Sequence, residues 1–190
     1  MESLKRNLKQ KFSAVFEEPR ALFPILGFVF TSLAGTLLHF LPDLVQNNFV
    51  YLFAPTNESV WEHLKLLFYP YLLFMILEYF AYGRDADGFL GAKTRGVFAG
   101  EAVIVAVHYI VSGIVGADVA WVDISLFFVG TAVAYILPYL MIKRGASKRY
   151  SNLSAAVLLI FHAALFSVFT FMPPEIGLFM DPESGGFGIS

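Results

Sequence analysis

Five stretches of about 20 mostly apolar residues dominate the chain, the length an α-helix needs to cross ~30 Å of hydrocarbon. They run from about 21 to 41, 57 to 82, 96 to 115, 120 to 142 and 152 to 172. A backbone in lipid must satisfy its own hydrogen bonds, as a helix does. The expected fold is therefore all-α, a five-span transmembrane bundle. Composition agrees: 57% of the 190 residues are hydrophobic and 15% charged, where a soluble domain carries about 25% charge. Residues 1–20 read as a cytoplasmic amphipathic interfacial segment, 21–172 as the membrane domain, and 173–190 as an extracytoplasmic tail packed on the bundle.

Breakers punctuate these stretches. Leu41-Pro42-Asp43 ends the first, Asn57 is a candidate cap for the second, and Gly83-Arg84 follows it. Pro138 is expected to bend the fourth, and Pro173-Pro174 ends the fifth. The first stretch is too long for a cleaved signal peptide and lacks a small-residue cleavage site, so it reads as an anchor. Ahead of it, Leu4, Leu8, Phe12, Val15 and Phe16 share one helical face and Lys5, Arg6, Lys9 and Lys11 the other. That pattern suits a helix lying on an anionic leaflet.

Basic residues set the expected orientation. Twelve of the 13 lysines and arginines fall in the N-terminal segment and in the loops after spans two and four. Under the positive-inside rule the N-terminus is cytoplasmic and the C-terminus outside. Trp61 and Trp121 then both sit at the outer interface, where indoles anchor.

The chemistry concentrates in Pro55-Thr56-Asn57-Glu58-Ser59-Val60-Trp61-Glu62-His63, at the mouth of span two. Charged side chains in lipid cost roughly 2.5–3.5 kcal/mol each at a helix centre, so they face protein or water. At 1.5 Å rise per residue, one outer layer collects His39, Glu58, Glu62, His63, His108 and Asp123. Glu58, Glu62 and Lys65, spaced four and three, are expected to share a face, with Lys65 pairing to the carboxylates. Thr94, Glu101 and His108 form a polar stripe expected to face the bundle, and His162 lies near mid-membrane.

Several chemistries fit these residues. Helix capping explains Asn57 and Glu58. A divalent metal such as zinc takes His and carboxylate ligands and keeps a position for water. The candidate ligands are His63, His108 and His39, with Glu62, His63 and His108 as candidate catalytic groups. Asn57, Glu58, Lys65, Asp123, Glu101 and His162 complete the candidate polar pocket. No H-E-x-x-H is present, so spacing alone does not define the metal. A proton pathway through Glu78, Glu101, His108, His162, Glu62 and His63 is the second reading. Five spans do not divide into equal inverted repeats, and a homodimer would supply the missing symmetry. Haem between two histidines is a third reading, and a non-catalytic accessory protein a fourth.

Absent motifs narrow the field. With no cysteine, disulfides and thiolate chemistry are excluded. No glycine-rich phosphate loop, G-x-S-x-G or basic nucleic-acid face occurs, so the expected partner is the lipid bilayer and not nucleic acid. Ser59 is one turn before His63, but a hydroxyl bonded to its own helix is the simpler role.

The Asn57-Glu58-Ser59-Val60-Trp61-Glu62-His63 string resembles that of a family of small, uncharacterised bacterial polytopic membrane proteins. Glu78-Tyr79 and the Asp181-Pro182 to Phe187-Gly188-Ile189 ending carry the same resemblance. It implies a bacterial inner membrane location and supplies no catalytic roles. The expectation from the residues is an outward-facing His/Glu pocket doing metal-assisted or acid/base chemistry on a lipid or envelope substrate.

Overall fold

A computed structural model describes residues 19–116, 120–149 and 151–189. The basic amphipathic segment expected before the first span lies outside the described residues. Five long helices form the body: α1 Pro19–His39, α2 Val60–Ala81, α3 Phe89–Val115, α4 Ala120–Lys143 and α5 Asn152–Phe171. Among the described residues, five helices, the first counted with the turn that follows it, are long and apolar enough to cross a membrane. The fold is an all-helical membrane bundle.

Side-chain contacts define its up-and-down course. His63, early in α2, meets His39 at the end of α1, and Glu78, late in α2, pairs with Lys93, early in α3. His108, late in α3, meets Asp123, early in α4, while Trp61 packs on Phe169 near the end of α5. One end of the bundle thus gathers His39, His63, His108 and Asp123, and the other Glu78 and Lys93.

Helix α2 is the central element. Of its most apolar window 56% is buried, against 33% or less in each of the other four. Leu64, Leu67, Phe68, Tyr71, Phe74 and Met75 of α2 form much of the core. Large apolar residues exposed on the other helices, such as Leu37, Ile114, Leu153 and Ile160, face what is lipid in a membrane.

Helices α3 and α4 approach most closely through small residues. A Cβ built on Gly100 would collide with the Gly130 carbonyl, and one on Gly96 with that of Ala134. Association in lipid relies on such close backbone contact, because lipid tails are as apolar as leucine. Pro138 lies inside α4 against Gly96, where its ring occupies space that a side chain would need.

Two sequence boundaries shift. Helix α2 begins at Val60, not near Asn57, because Ser59 is the N-cap and accepts from the Glu62 amide. Helix α3 begins at Phe89, so Lys93 and Arg95 are helical and not in the loop. Lys93 is buried against Glu78, and Arg95 donates to Gly91 O on its own helix. Those partners let two cations enter the helix that a hydropathy window excludes.

Between α1 and α2, the one-turn helices Leu41–Leu44 and Asn48–Tyr51 carry the chain across one end of the bundle. The tail after α5 folds back over the same end. Phe179 packs on Trp61 and Phe169, and Asn57 Nδ2 donates to Gly188 O at 2.8 Å. Met180 and Phe187 pair as an isolated antiparallel bridge that closes the tail on itself.

Candidate functional site

Three potential ligands converge where α1 ends and α2 begins. One ligand atom each from His39, Glu58 and His63 lie within 4.8 Å of one another. Local sequence dictates the arrangement. His39 closes α1. Ser59 caps α2 in an extended conformation, so Glu58 stands just outside the helix and folds back toward its first turn. There His63 Nε2 approaches Glu58 Oε2 at 3.3 Å.

The hydrogen bonds fix which imidazole nitrogen is available. His63 Nδ1 is 3.0 Å from Ser59 O, and a carbonyl only accepts, so Nδ1 carries the proton. In the neutral ring Nε2 then presents a lone pair to a carboxylate oxygen. Two acceptors at this distance require a proton or a cation between them. A backbone carbonyl on the far nitrogen is also the usual outer-shell partner of a metal-bound imidazole. His39 adds a buried Nδ1 without a hydrogen-bond partner among the described residues, in a ring centred 5.2 Å from that of His63. The Glu58 side chain is 44% exposed and that of His63 31%, so the cluster opens to the surface.

Electrostatics around the cluster favour a charged Glu58. The hydrogen bond from His63 holds its carboxyl below the ordinary 4.5 against the opposing effect of burial. Asp181 approaches from the tail. Burial raises its pKa, but the Ser184 hydroxyl and the amides of Glu183, Ser184 and Glu58 outweigh that and hold it below the ordinary 3.8.

Glu62 is not part of this group. It is buried and points to a different face of α2 from His63, as the ~100° step between successive residues requires. Its Oε2 accepts from Lys65 Nζ at 2.7 Å, Thr56 N at 2.8 Å and Thr56 Oγ1 at 3.0 Å, and its Oε1 from Thr170 Oγ1 at 2.9 Å. Lys65 also donates to Tyr51 O and Ala54 O. Glu62 and Lys65 thereby tie the α1–α2 connection to α2 and α5. The expected Glu58–Lys65 pairing is not formed, because Glu58 precedes the helix and does not share a face with Lys65.

The remaining candidate residues form separate pairs. His108 Nδ1 bonds Asp123 Oδ1 at 2.7 Å. Asp123 is near enough to act electrostatically on His63, but the three-ligand group does not include His108. Glu101 Oε2 lies 3.0 Å from His162 Nε2, midway along α3 and α5. The stripe expected to face inward does so, with Thr94 and Glu101 buried and the His108 side chain 11% exposed. Asn57 is not the cap. It orders the turn by accepting from Ser59 N and holds the tail through Gly188. Trp61 is 8% exposed among Phe166, Phe169 and Phe179, a core residue and not an interface anchor. Trp121 is 71% exposed.

Glu58 does not complement the helix end from within the first turn, and the sequence carries a signal for its position outside the helix. Ser59-Val60-Trp61-Glu62 has the S-x-x-E pattern that marks a serine N-cap, which leaves Glu58 outside the helix. The reciprocal half of that motif is not made: Glu62 reaches Thr56 N instead, and Asn57 takes Ser59 N. The roles of Asp181, Thr170 and Gly188 carry no comparable local signal, since each depends on contacts with distant residues.

Residues 16–189 match the model of the family of unknown function DUF6512, and the chain belongs to that family. Comparison with curated proteins and with solved structures finds no match.

Proposed function

We propose that this chain is an integral membrane metalloprotein of the bacterial inner membrane. In this reading His39, Glu58 and His63 bind one divalent cation such as zinc, on the extracytoplasmic side. The observation that carries it is the convergence of three ligand atoms within 4.8 Å, contributed by two helices and the turn between them. Two histidines and a glutamate are a ligand set used by catalytic zinc, which keeps a fourth position for water and lowers that water's pKa to about 7. The partial exposure of Glu58 and His63 supports an open fourth position. The excess of basic residues in the opposite loops supports the orientation.

The surroundings favour an amphipathic substrate, a lipid or envelope component. The connection between His39 and Glu58 exposes Phe40, Leu44, Val45 and Phe49, an apolar rim beside the proposed metal. Lys65, the basic residue at this end, is fully buried and committed to Glu62 and two carbonyls. An anionic head group arriving there would therefore be met by the metal.

Equilibrium dialysis of purified protein against zinc tests the reading. One zinc per chain is expected for the wild type, with at least tenfold weaker binding in His39→Gln, Glu58→Gln and His63→Gln. Glu62→Gln and His108→Gln should retain the metal. Failure to bind zinc, or equal binding in the three ligand variants, would overturn the proposal.

A further inference from the structure

We infer that Glu101 and His162 form a proton-binding site in the interior of the bundle, separate from the His39–Glu58–His63 cluster. Three glutamates are buried in the long helices: Glu62, Glu78 and Glu101. The first two are each neutralised by a lysine, Lys65 and Lys93. Glu101 is faced by a histidine instead, the side chain whose charge changes near physiological pH. A lysine makes a fixed charge balance, whereas a histidine makes one that depends on a proton.

The geometry requires protons. His162 Nε2 and Glu101 Oε2 are 3.0 Å apart, and their side chains are 15% and 7% exposed. A lone pair and a carboxylate oxygen do not remain at that distance without a hydrogen on the nitrogen. That first proton leaves the pair with a net charge of −1. Such a charge is costly in a low-dielectric interior unless it is paired. A second proton, placed on the other ring nitrogen or on the carboxyl, brings the pair to zero.

Among the described residues, its neighbours offer no other compensation. Trp61 and Phe68 of α2, Phe98 of α3 and Phe166 of α5 surround the His162 ring, with centroid separations of 4.7–5.9 Å. None of these titrates, and His162 is the titratable group that faces Glu101. The site also retains open polar valences. Glu101 Oε1 and Trp61 Nε1 are buried without a hydrogen-bond partner among the described residues. By contrast, all of the contacts around Glu62 are made. The open carboxylate oxygen beside the imidazole can exchange a proton with a water molecule, which a fully satisfied pair cannot, while the indole N–H serves only as a hydrogen-bond donor.

Nuclear magnetic resonance of protein labelled with ¹⁵N-histidine, in lipid and with chelator present, reads the site independently of any metal. The His162 signals are assigned by their loss in His162→Gln. At pH 7 the account expects two protons on the wild-type pair, either both on the His162 ring or one on the ring and one on the Glu101 carboxyl, and a singly protonated ring in Glu101→Gln. Infrared spectra supply the reciprocal measurement. His162→Gln should show a protonated-carboxyl C=O band that is absent from the Glu101→Gln/His162→Gln double variant. A singly protonated His162 ring in the wild type together with no carboxylic-acid band assignable to Glu101 would overturn the inference.

Discussion

Glu62→Gln keeps the shape of the side chain and removes its charge, and the structure gives two opposite expectations for stability and for metal. Lys65 has no exposed side-chain surface, so its ammonium would remain buried with Tyr51 O and Ala54 O as acceptors and no anion. Breaking a buried ion pair by removing one partner costs about 3–5 kcal/mol. The neutral hydrogen bonds are largely preserved, since the amide oxygen can face Thr56 and the amide nitrogen can donate to Thr170 Oγ1. The loss therefore isolates the charge, and about 3 kcal/mol is the fair expectation. For a chain of this size that lowers the melting temperature by about 6–12 °C, readable by scanning calorimetry in lipid nanodiscs. Replacing both partners, Glu62→Gln with Lys65→Met, should recover most of the loss, because no buried charge is then left over. Zinc affinity should be unchanged, since both carboxylate oxygens face away from His63. A Glu62→Gln protein as stable as wild type, or one that loses zinc while still folded, would refute the assignment of Glu62 to the structural network.

Three further outcomes follow from other parts of the molecule. Gly100→Leu should destabilise the bundle by about 3 kcal/mol, at the upper end for overpacking, because the new side chain meets the Gly130 backbone; a calorimetric midpoint within 2 °C of wild type (about the shift from 1 kcal/mol) would contradict the close α3–α4 contact. Glu58 has a folded pKa below its ordinary 4.5, so its contribution is present above about that pH and lost as pH falls through the lower folded value; the stability difference between metal-free wild type and Glu58→Gln should narrow on acidification, and a difference that widens would contradict the His63–Glu58 pairing. Cysteines introduced at Gln46 and Gly186 should react with an impermeant thiol reagent in intact cells while one at Ala146 should not; labelling at Ala146 alone would invert the proposed orientation.

The membrane architecture was legible because lipid imposes length and apolarity on each span, and α1, α4 and α5 differ little from the hydropathy windows. The ends of α2 and α3 were less legible, for an electrostatic reason. Lys93 reads as a loop residue until Glu78 is known to stand against it. Shared depth brought His39, Glu58 and His63 into one layer, but depth is one coordinate of three. It could not separate Glu62, one residue from His63, from the ligands, nor assign His108 to Asp123. The Gly96-x-x-x-Gly100 spacing was visible in the chain, yet its partner surface, Gly130 and Ala134, is defined by the crossing of two helices. Contacts made by the tail through Asp181 and Gly188 link residues more than a hundred positions apart, which no periodicity encodes.

X-ray absorption at the zinc edge on the zinc-loaded protein tests the central claim most directly. The account predicts a first shell with two imidazole nitrogens at ~2.0–2.1 Å and carboxylate or water oxygens at ~2.0–2.2 Å. The imidazole scattering should fall by half in either His39→Gln or His63→Gln. A shell of oxygens alone, or imidazole scattering that survives both substitutions together, would contradict a metal centre built from His39, Glu58 and His63.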